Sequence, residues 1–284
     1  MAKVIRAFDN KNQPIVDSDN KTLSRTYFNI VALNKDQEFE YQLDGFESVC
    51  VILSGKCDIT INAQTFNDVG QRQDIWTGKA DSVYISASAS VFIRAKVDQT
   101  KFAIAGGLCD KVQKSFRILP DDVSRVDVGS VGTHSHRQIF HILGSNNKNV
   151  GGHLLVSELY CEEGCWNGYP PHKHDEDISL NNGDMEETAF DEVYYYQFQP
   201  ETGFGGQFIF HNNGSSNCFM THHGDTFLVD KGYHPTVTSP GHKEYIFTIL
   251  VGHTGRSLVQ NFKEEYRYLM NKIPGIANMR EKFK

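Results

Sequence analysis

Two histidines one residue apart, His172 and His174, are the side chains in this sequence best suited to bind a metal ion. Side chains alternate across an extended strand, so both imidazoles would lie on one face and could reach the same ion. Pro170 and Pro171 precede the pair, and because each ring fixes φ and removes a backbone donor, a helix is not expected there. The segment is therefore predicted to be a metal-binding strand.

A carboxylate and a third imidazole follow this pair along the chain. Glu192 opens an aromatic and β-branched run typical of a strand, and the turn residues at 181–183 allow that run to fold back beside the histidines. His234 follows another short strand and a glycine turn. Imidazole nitrogens with one carboxylate suit Zn, Mn, Fe, Ni or Co and leave coordination positions open for substrate. We therefore predict one divalent ion held by His172, His174, Glu192 and His234.

A second pair with the same spacing, His134 and His136, lacks these companions in its own half of the chain. It follows a glycine-containing segment, residues 128–132, that we interpret as the crossing between two domains. No ligand role is predicted for this pair.

Length and composition are those of an ordinary globular protein. The 284 residues suffice for two domains, each with its own core. No apolar run approaches the roughly 20 residues needed to span a bilayer, and the N-terminus lacks a long apolar segment, so neither a membrane nor a secreted location is expected. The six scattered cysteines are interpreted as reduced thiols. A cytoplasmic protein is predicted.

The charge balance argues against a nucleic-acid partner. There are 28 basic and 35 acidic side chains, a net charge of −7, and no dense basic block. The predicted partners are a small molecule and further copies of the same chain.

The elements that would position the site are short strands. Patterns such as residues 49–53 and 57–61, separated by Gly, Asn, Asp and Ser turns, predict an all-β sandwich or jelly roll. Helical periodicity is found only near the end of the chain, where Phe262, Tyr266, Leu269 and Met270 form one stripe. That stripe predicts a short C-terminal helix closed by Pro274 and Gly275.

The two halves of the chain repeat weakly at an offset of about 144 residues, which aligns residues 81–90 with 225–234. Ser90 then occupies the position of His234, and Glu47 corresponds roughly to Glu192. All twelve histidines lie at or after position 134. We predict a metal-free N-terminal domain over residues 1–128 and a metal-binding C-terminal domain over residues 129–284.

The run Tyr169-Pro170-Pro171-His172-Lys173-His174-Asp175 resembles the 5-deoxy-glucuronate isomerase family of inositol catabolism. Residues 192–196 and the pattern Gly203-Phe204-x-x-Gln207 extend the resemblance, and residues 53–55, 74–78 and 82–85 resemble the first domain of that family. This family and its relative, 5-keto-4-deoxyuronate isomerase, are bicupins. The resemblance implies two cupin jelly-roll domains and metal ligation by His172, His174, Glu192 and His234.

The activity implied by the resemblance is a metal-dependent aldose–ketose isomerisation that converts 5-deoxy-D-glucuronate to 5-dehydro-2-deoxy-D-gluconate. The divalent cation would act as a Lewis acid that stabilises charge on the reacting oxygens. Strand alternation places Tyr194 and Tyr196 on the same face as Glu192, and a returning strand could bring Gln207 opposite them. We predict that Tyr194, Tyr196 and Gln207 supply neutral hydrogen bonds to the sugar.

Other functions fit the same residues. The chain could isomerise a related uronate, bind a sugar without turnover, or act as an Fe(II) cupin dioxygenase, because a fold does not fix function. The tyrosines could also be core residues whose hydroxyls bond to the backbone.

Overall fold

The structure is a computed structural model that describes residues 3–144, 147, 150 and 152–276, and these residues are mostly β-structure. The strands in chain order are β1 (Lys3–Ile5), β2 (Thr26–Leu33), β3 (Glu38–Gln42), β4 (Phe46–Ser54), β5 (Cys57–Ile61), β6 (Gln64–Val69), β7 (Ser82–Ile85), β8 (Ser90–Ala95), β9 (Thr100–Leu108), β10 (Phe116–Ile118), β11 (Ser124–Val128), β12 (Arg137–Leu143), β13 (Leu154–Cys161), β14 (Trp166–Asn167), β15 (His172–Lys173), β16 (Ile178–Ser179), β17 (Met185–Glu187), β18 (Phe190–Gln199), β19 (Phe204–Phe210), β20 (Ser216–His222), β21 (Thr226–Val229), β22 (Thr236–Thr238), β23 (Lys243–Gly252) and β24 (Asn261–Phe262). The predicted all-β class is confirmed.

The first half of the chain forms a sandwich of two antiparallel sheets. A five-stranded sheet, in the order β10-β7-β4-β9-β2, shares an apolar core with a four-stranded sheet, β3-β8-β5-β6. Cys50 and Ile52 enter this core, while their neighbours Val49 and Val51 point the other way, as strand alternation requires. The continuous apolar run of β4 is therefore buried on both faces.

The second half forms a larger sandwich that also includes strands from the first half. Its seven-stranded sheet has the order β1-β21-β18-β23-β13-β12-β11, and its smaller sheet the order β14-β22-β19-β20. The two edge strands of the large sheet, Lys3–Ile5 and Ser124–Val128, both precede residue 129 in the chain. The domain boundary after residue 128 stays a prediction.

The two large sheets pack back to back. Val49, Val51 and Ala105 of the five-stranded sheet share a buried cluster with Val193 and Phe247 of the seven-stranded sheet. This contact uses the outward faces of β4 and β18, which leaves the opposite face of β18, with Glu192 and Tyr194, for the interior of the second sandwich.

Glu47, which the internal repeat aligns with Glu192, has a structural role at this junction. Its carboxylate is fully buried and accepts hydrogen bonds from the Tyr84 hydroxyl (2.7 Å) and from the backbone N–H groups of His153 (2.5 Å) and Leu154 (2.9 Å). A Cβ at Gly152 would lie 2.0 Å from its oxygens, so only glycine fits there. Glu47 thus fastens the first half to the second. That the first domain binds no metal stays a prediction.

A buried ion pair crosses the same junction. Arg72 donates to both oxygens of Glu158, at 3.1 and 2.5 Å, and the Tyr245 hydroxyl donates to Glu158 Oε1 at 2.8 Å. The two charged side chains are at most 2 % exposed. Because water is excluded from this site, each charge is stabilised by its partner instead of by solvent.

Replacing Arg72 with methionine is expected to lower the free energy of unfolding by about 3–5 kcal/mol, because Glu158 would remain buried without its partner charge. Urea denaturation measures the change. Arg94→Met is the matched control, since Arg94 pairs with Asp36 on the surface and its side chain is 51 % exposed; its expected cost is below about 1 kcal/mol. Equal losses in the two variants would contradict the prediction.

The predicted short C-terminal helix is confirmed and is of the 3₁₀ type, spanning Glu264–Asn271. Shorter 3₁₀ helices span Pro120–Asp122 and Val131–Thr133. Leu269 and Met270 pack against a buried cluster that includes Val126 and Phe262, so the apolar stripe attaches this helix to the core. In the part of the chain that the structure describes, no helix has the length and apolarity needed to cross a membrane. Cytoplasmic location and homo-oligomeric assembly stay predictions.

Candidate metal centre

The histidine pair lies on and just after a two-residue strand. Strand β15 (His172–Lys173) pairs with β24 (Asn261–Phe262), and the carbonyl of His174 accepts a hydrogen bond from Phe190 N at 2.8 Å. Both imidazoles are buried. The extended segment predicted from the two prolines is therefore present, and it is held between β18 and the C-terminal part of the chain.

Glu192 and His234 reach the same place from two other segments. Glu192 is the third residue of β18 and faces the interior of the second sandwich. His234 lies between β21 and β22, and its backbone N–H donates to the carbonyl of His172 at 3.2 Å. The backbone thus brings His234 against the histidine pair directly.

The side chains converge on one point. The ligand nitrogens of His172, His174 and His234 all lie within 4.8 Å of one another, and among the described residues this is the one group of three or more such side chains that could hold a metal ion. Glu192 Oε2 lies 3.1 Å from His174 Nε2 and 3.2 Å from His234 Nε2. The four predicted ligands are therefore brought together.

Backbone carbonyls orient each imidazole. The Nδ1 atoms of His172, His174 and His234 lie 3.2, 3.4 and 2.8 Å from the carbonyl oxygens of Pro170, Phe190 and Gly232. A carbonyl can only accept, so each Nδ1 is the donor and each Nε2 is the ring nitrogen available to a metal ion.

The donor set fits a divalent cation. His234 Nε2 is buried and has no hydrogen-bond partner among the described residues, although the Glu192 carboxylate lies near it. Buried polar atoms are normally satisfied, and a cation shared by this nitrogen, two further imidazoles and a carboxylate would satisfy it.

Three groups of the centre have shifted pKa values, and burial and neighbouring charges contribute differently to each shift. Burial lowers the pKa of His172 well below its usual value, and the neighbouring imidazoles add to this effect. Burial also lowers the pKa of His174, but the hydrogen bond and charge of Glu192 outweigh it and the net pKa is raised. Burial raises the pKa of Glu192, but the hydrogen bond to His174 and the nearby imidazole of His234 reverse this and lower it to about 2. Glu192 is therefore an anion, which favours a bound cation.

Lys173 ties the two histidine segments together. Its ammonium is buried and contacts Asp175 Oδ1 at 2.5 Å and Glu187 at 2.8 Å. Asp175 Oδ2 in turn accepts from the backbone N–H of Gly232, at 2.7 Å, and Gly232 carries the carbonyl that orients His234. Lys173 faces away from the histidines, as alternation requires, yet it positions them through this chain of contacts.

A small cavity of about 40 Å³ opens onto the centre. Of the predicted catalytic residues, Tyr194 lines it together with His172, His174 and Glu192. Other residues line it that were not predicted from the sequence, among them Arg137, Asn167, Leu258 and Gln260. Gln260 Nε2 lies 2.9 Å from His172 Nε2 although 88 positions separate the two residues, and no local pattern signals that contact.

Tyr196 and Gln207 lie beside this cavity without lining it. The Tyr196 hydroxyl donates to Gln207 Oε1 at 2.5 Å, and Gln207 Nε2 donates to the carbonyls of His234 (2.9 Å) and Pro235 (3.1 Å). Both side chains are fully buried. The pair therefore supports the backbone that carries His234, and direct contact with a sugar stays a prediction.

The second histidine pair lies at the surface of the same half. His134 is exposed, and the half-buried ring of His136 lies 3.7 Å from Asp127 and 3.9 Å from Glu162.

A buried carboxyl group of different character, Glu244, also faces the second sandwich. Burial raises its pKa to about 8, and neither of its oxygens has a hydrogen-bond partner among the described residues. The titratable groups near it are Cys161 and Tyr196. A Cβ at Gly205 would lie 3.0 Å from Glu244 Oε1, so that glycine makes room for it.

The contribution of Glu244 to stability is expected to fall as the pH rises from about 4.5 to about 8. Over this range the folded chain keeps the Glu244 proton that the unfolded chain has released, so this group can cost up to about 1.4 kcal/mol per pH unit. In Glu244→Gln that contribution is absent, so the variant should gain stability relative to the wild type as the pH rises. Urea unfolding at several pH values measures the difference, with the exposed Glu163→Gln as control. A constant difference across the range would contradict the prediction.

Two β-sandwiches packed through their larger sheets, one of them enclosing a cluster of three histidines and a glutamate, define a bicupin. The fold matches an IolB-like protein from Salmonella typhimurium LT2, with a TM-score of 0.78 and 24% identity, over 86% of this chain and 90% of that one. It also matches a variant of oxalate decarboxylase from Bacillus subtilis, with a TM-score of 0.55 and 13% identity, over 80% and 68% of the two chains.

The chain belongs to the KduI/IolB family, whose sequence pattern matches residues 3–269. It is 30% identical over 242 residues to a 5-deoxy-glucuronate isomerase from Lacticaseibacillus casei, covering 84% of this chain and 86% of that protein. A second relative of the same name, from Bacillus licheniformis, is 31% identical over 244 residues, with the same coverage of 84% and 86%. The family resemblance expected from the histidine segment is thereby confirmed.

Proposed function

We propose that this protein is a metal-dependent aldose–ketose isomerase that converts 5-deoxy-D-glucuronate to 5-dehydro-2-deoxy-D-gluconate in myo-inositol catabolism. The observation that carries the proposal is the convergence of three oriented imidazole nitrogens and the Glu192 carboxylate on one point, in a chain whose relatives bear the name of that isomerase. The reaction shifts one proton between neighbouring carbons and one between their oxygens, so substrate and product are isomers.

His172, His174, Glu192 and His234 would hold the metal ion. A bound divalent cation supplies Lewis-acid polarisation of the sugar's carbonyl oxygen, which acidifies the neighbouring C–H bond. The Nδ1 hydrogen bonds to the carbonyls of Pro170, Phe190 and Gly232 hold the three rings in place. Lys173 and Asp175 hold the segment of His172 and His174 against the segment of His234. Binding would displace the proton that His174 shares with Glu192, so metal affinity should rise with pH.

Tyr194 is the proposed hydrogen-bond donor to the reacting sugar. It lines the cavity, and burial, then the charge of Glu192, raises its pKa well above the usual value, so its hydroxyl keeps its proton at neutral pH. A neutral donor beside developing negative charge stabilises the transition state more than the ground state.

Tyr196 and Gln207 are proposed to act on the same reaction by positioning His234. Their mutual hydrogen bond and the two bonds from Gln207 to the carbonyls of His234 and Pro235 fix that segment. Neither side chain lines the cavity.

The test is to incubate metal-loaded protein with 5-deoxy-glucuronate and follow the sugar by NMR. Conversion to 5-dehydro-2-deoxy-D-gluconate at equal rates with and without oxygen supports the proposed isomerase activity. Oxygen-dependent loss of substrate would indicate a dioxygenase, and saturable binding without conversion would indicate a sugar-binding protein. If the protein converts a related uronate but not 5-deoxy-glucuronate, that related uronate is its substrate.

A further inference from the structure

Arg137 is a buried cation with no countercharge among the described residues. It opens β12, is 1 % exposed, and no carboxylate of the described chain lies within ion-pair distance of it. Its Nη1 and Nη2 donate to the carbonyls of Ser135 (3.1 Å) and Tyr169 (2.9 Å). Burial lowers its pKa to about 10, so the guanidinium remains charged at neutral pH. An unpaired buried charge is costly and needs an explanation.

The guanidinium lies on the wall of the cavity that His172 and His174 also line. Arg137 lines this cavity together with His172, Glu192 and Tyr194, and its charge acts on the Tyr194 hydroxyl. The Asn167 Nδ2 donor lines the same cavity, is buried, and has no hydrogen-bond partner among the described residues. One region of the wall thus offers a cation and an unused neutral donor.

We propose that Arg137, assisted by Asn167, binds the carboxylate of a sugar-acid substrate whose carbonyl end faces His172, His174 and His234. The inference rests on the proposed function in that the substrate is a uronate, and it adds how the acid end is recognised. A guanidinium matches a carboxylate with two parallel hydrogen bonds. Two of its five N–H groups are used by Ser135 and Tyr169, which leaves three for a ligand.

The competing explanation is that Arg137 only tethers the loop before His172 through Tyr169. A tether needs donors but no charge, and a neutral side chain would perform it without the cost of burying a cation. A ligand carboxylate supplies the missing negative charge in the bound state. The two explanations differ in whether the effect of Arg137 depends on the charge of the substrate.

The experiment compares 5-deoxy-glucuronate with its uncharged methyl ester in the metal-loaded wild type, Arg137→Gln, Arg137→Lys and Arg125→Gln. The wild type should prefer the acid, and Arg137→Gln should lower kcat/KM for the acid by at least about 30-fold while changing that for the ester less than about threefold. Arg137→Lys should fall between them. Arg125, on the neighbouring strand and 46 % exposed, is the control and should leave both values unchanged. Equal losses for acid and ester, or no loss, would overturn the proposal.

Binding to the metal-stripped protein separates this inference from the proposed activity. Calorimetry should show that the wild type binds the acid more tightly than the ester and that Arg137→Gln abolishes this difference, even if the wild type has no isomerase activity. If Arg137→Gln does not fold, the wild type alone decides, because equal affinities for acid and ester would overturn the proposal and an acid preference would support it.

Discussion

Replacing His172 and His234 together with alanine is expected to remove the metal ion and the activity. These residues come from different segments, and their loss leaves one imidazole and one carboxylate, too few ligands for a stable site. Metal content should fall from one ion per chain to below about one tenth, and kcat/KM by at least about 1000-fold. Elemental analysis of the purified variant measures the first effect and an NMR-based assay the second.

The other histidine pair provides the control for this experiment. His134 and His136 have the same spacing in sequence but lie at the surface. His134 has φ 48°, a left-handed conformation that asparagine tolerates, so His134→Asn with His136→Asn changes two imidazoles without backbone strain. This variant should keep its metal and its activity. Full metal content in the His172 and His234 variant would refute the site.

Tyr194→Phe is expected to lower kcat by about 100-fold while changing KM by less than about threefold, with metal content unchanged. The hydroxyl is proposed to strengthen its hydrogen bond as negative charge develops on the substrate oxygens, so its loss acts on the transition state more than on binding. Steady-state kinetics on protein with equal metal content measures the two constants.

Substitutions of the neighbouring tyrosines on β18 distinguish a hydrogen bond to the substrate from a packing role of Tyr194. Tyr195→Phe removes a buried hydroxyl on the opposite face of β18, near Gln197 Nε2, and should leave kcat unchanged. Tyr196→Phe breaks the bond to Gln207 and should act mainly through the metal affinity of His234. A wild-type kcat in Tyr194→Phe would show that this tyrosine is a packing residue.

Local patterns in the sequence were sufficient to predict the all-β class and the four residues that converge on the centre. The reason is that strand alternation is a local rule, which puts His172 with His174, and Glu192 with Tyr194, whatever the rest of the chain does. The short C-terminal helix was likewise visible from its apolar stripe, although its 3₁₀ form was not.

Contacts between distant segments were decided only by the tertiary structure. Strand alternation predicts an inward face but not how deep each inward side chain lies, so it could not distinguish Tyr194, on the cavity wall, from Tyr196, which bonds to Gln207. It also gave no sign that Gln260 reaches His172 or that Arg137 enters the cavity, because sheet topology sets these contacts. The sequence by itself determined which residue types could bind a metal ion. The packing of two sheets determined what surrounds it, since burial and neighbouring charge exist only once distant strands are joined.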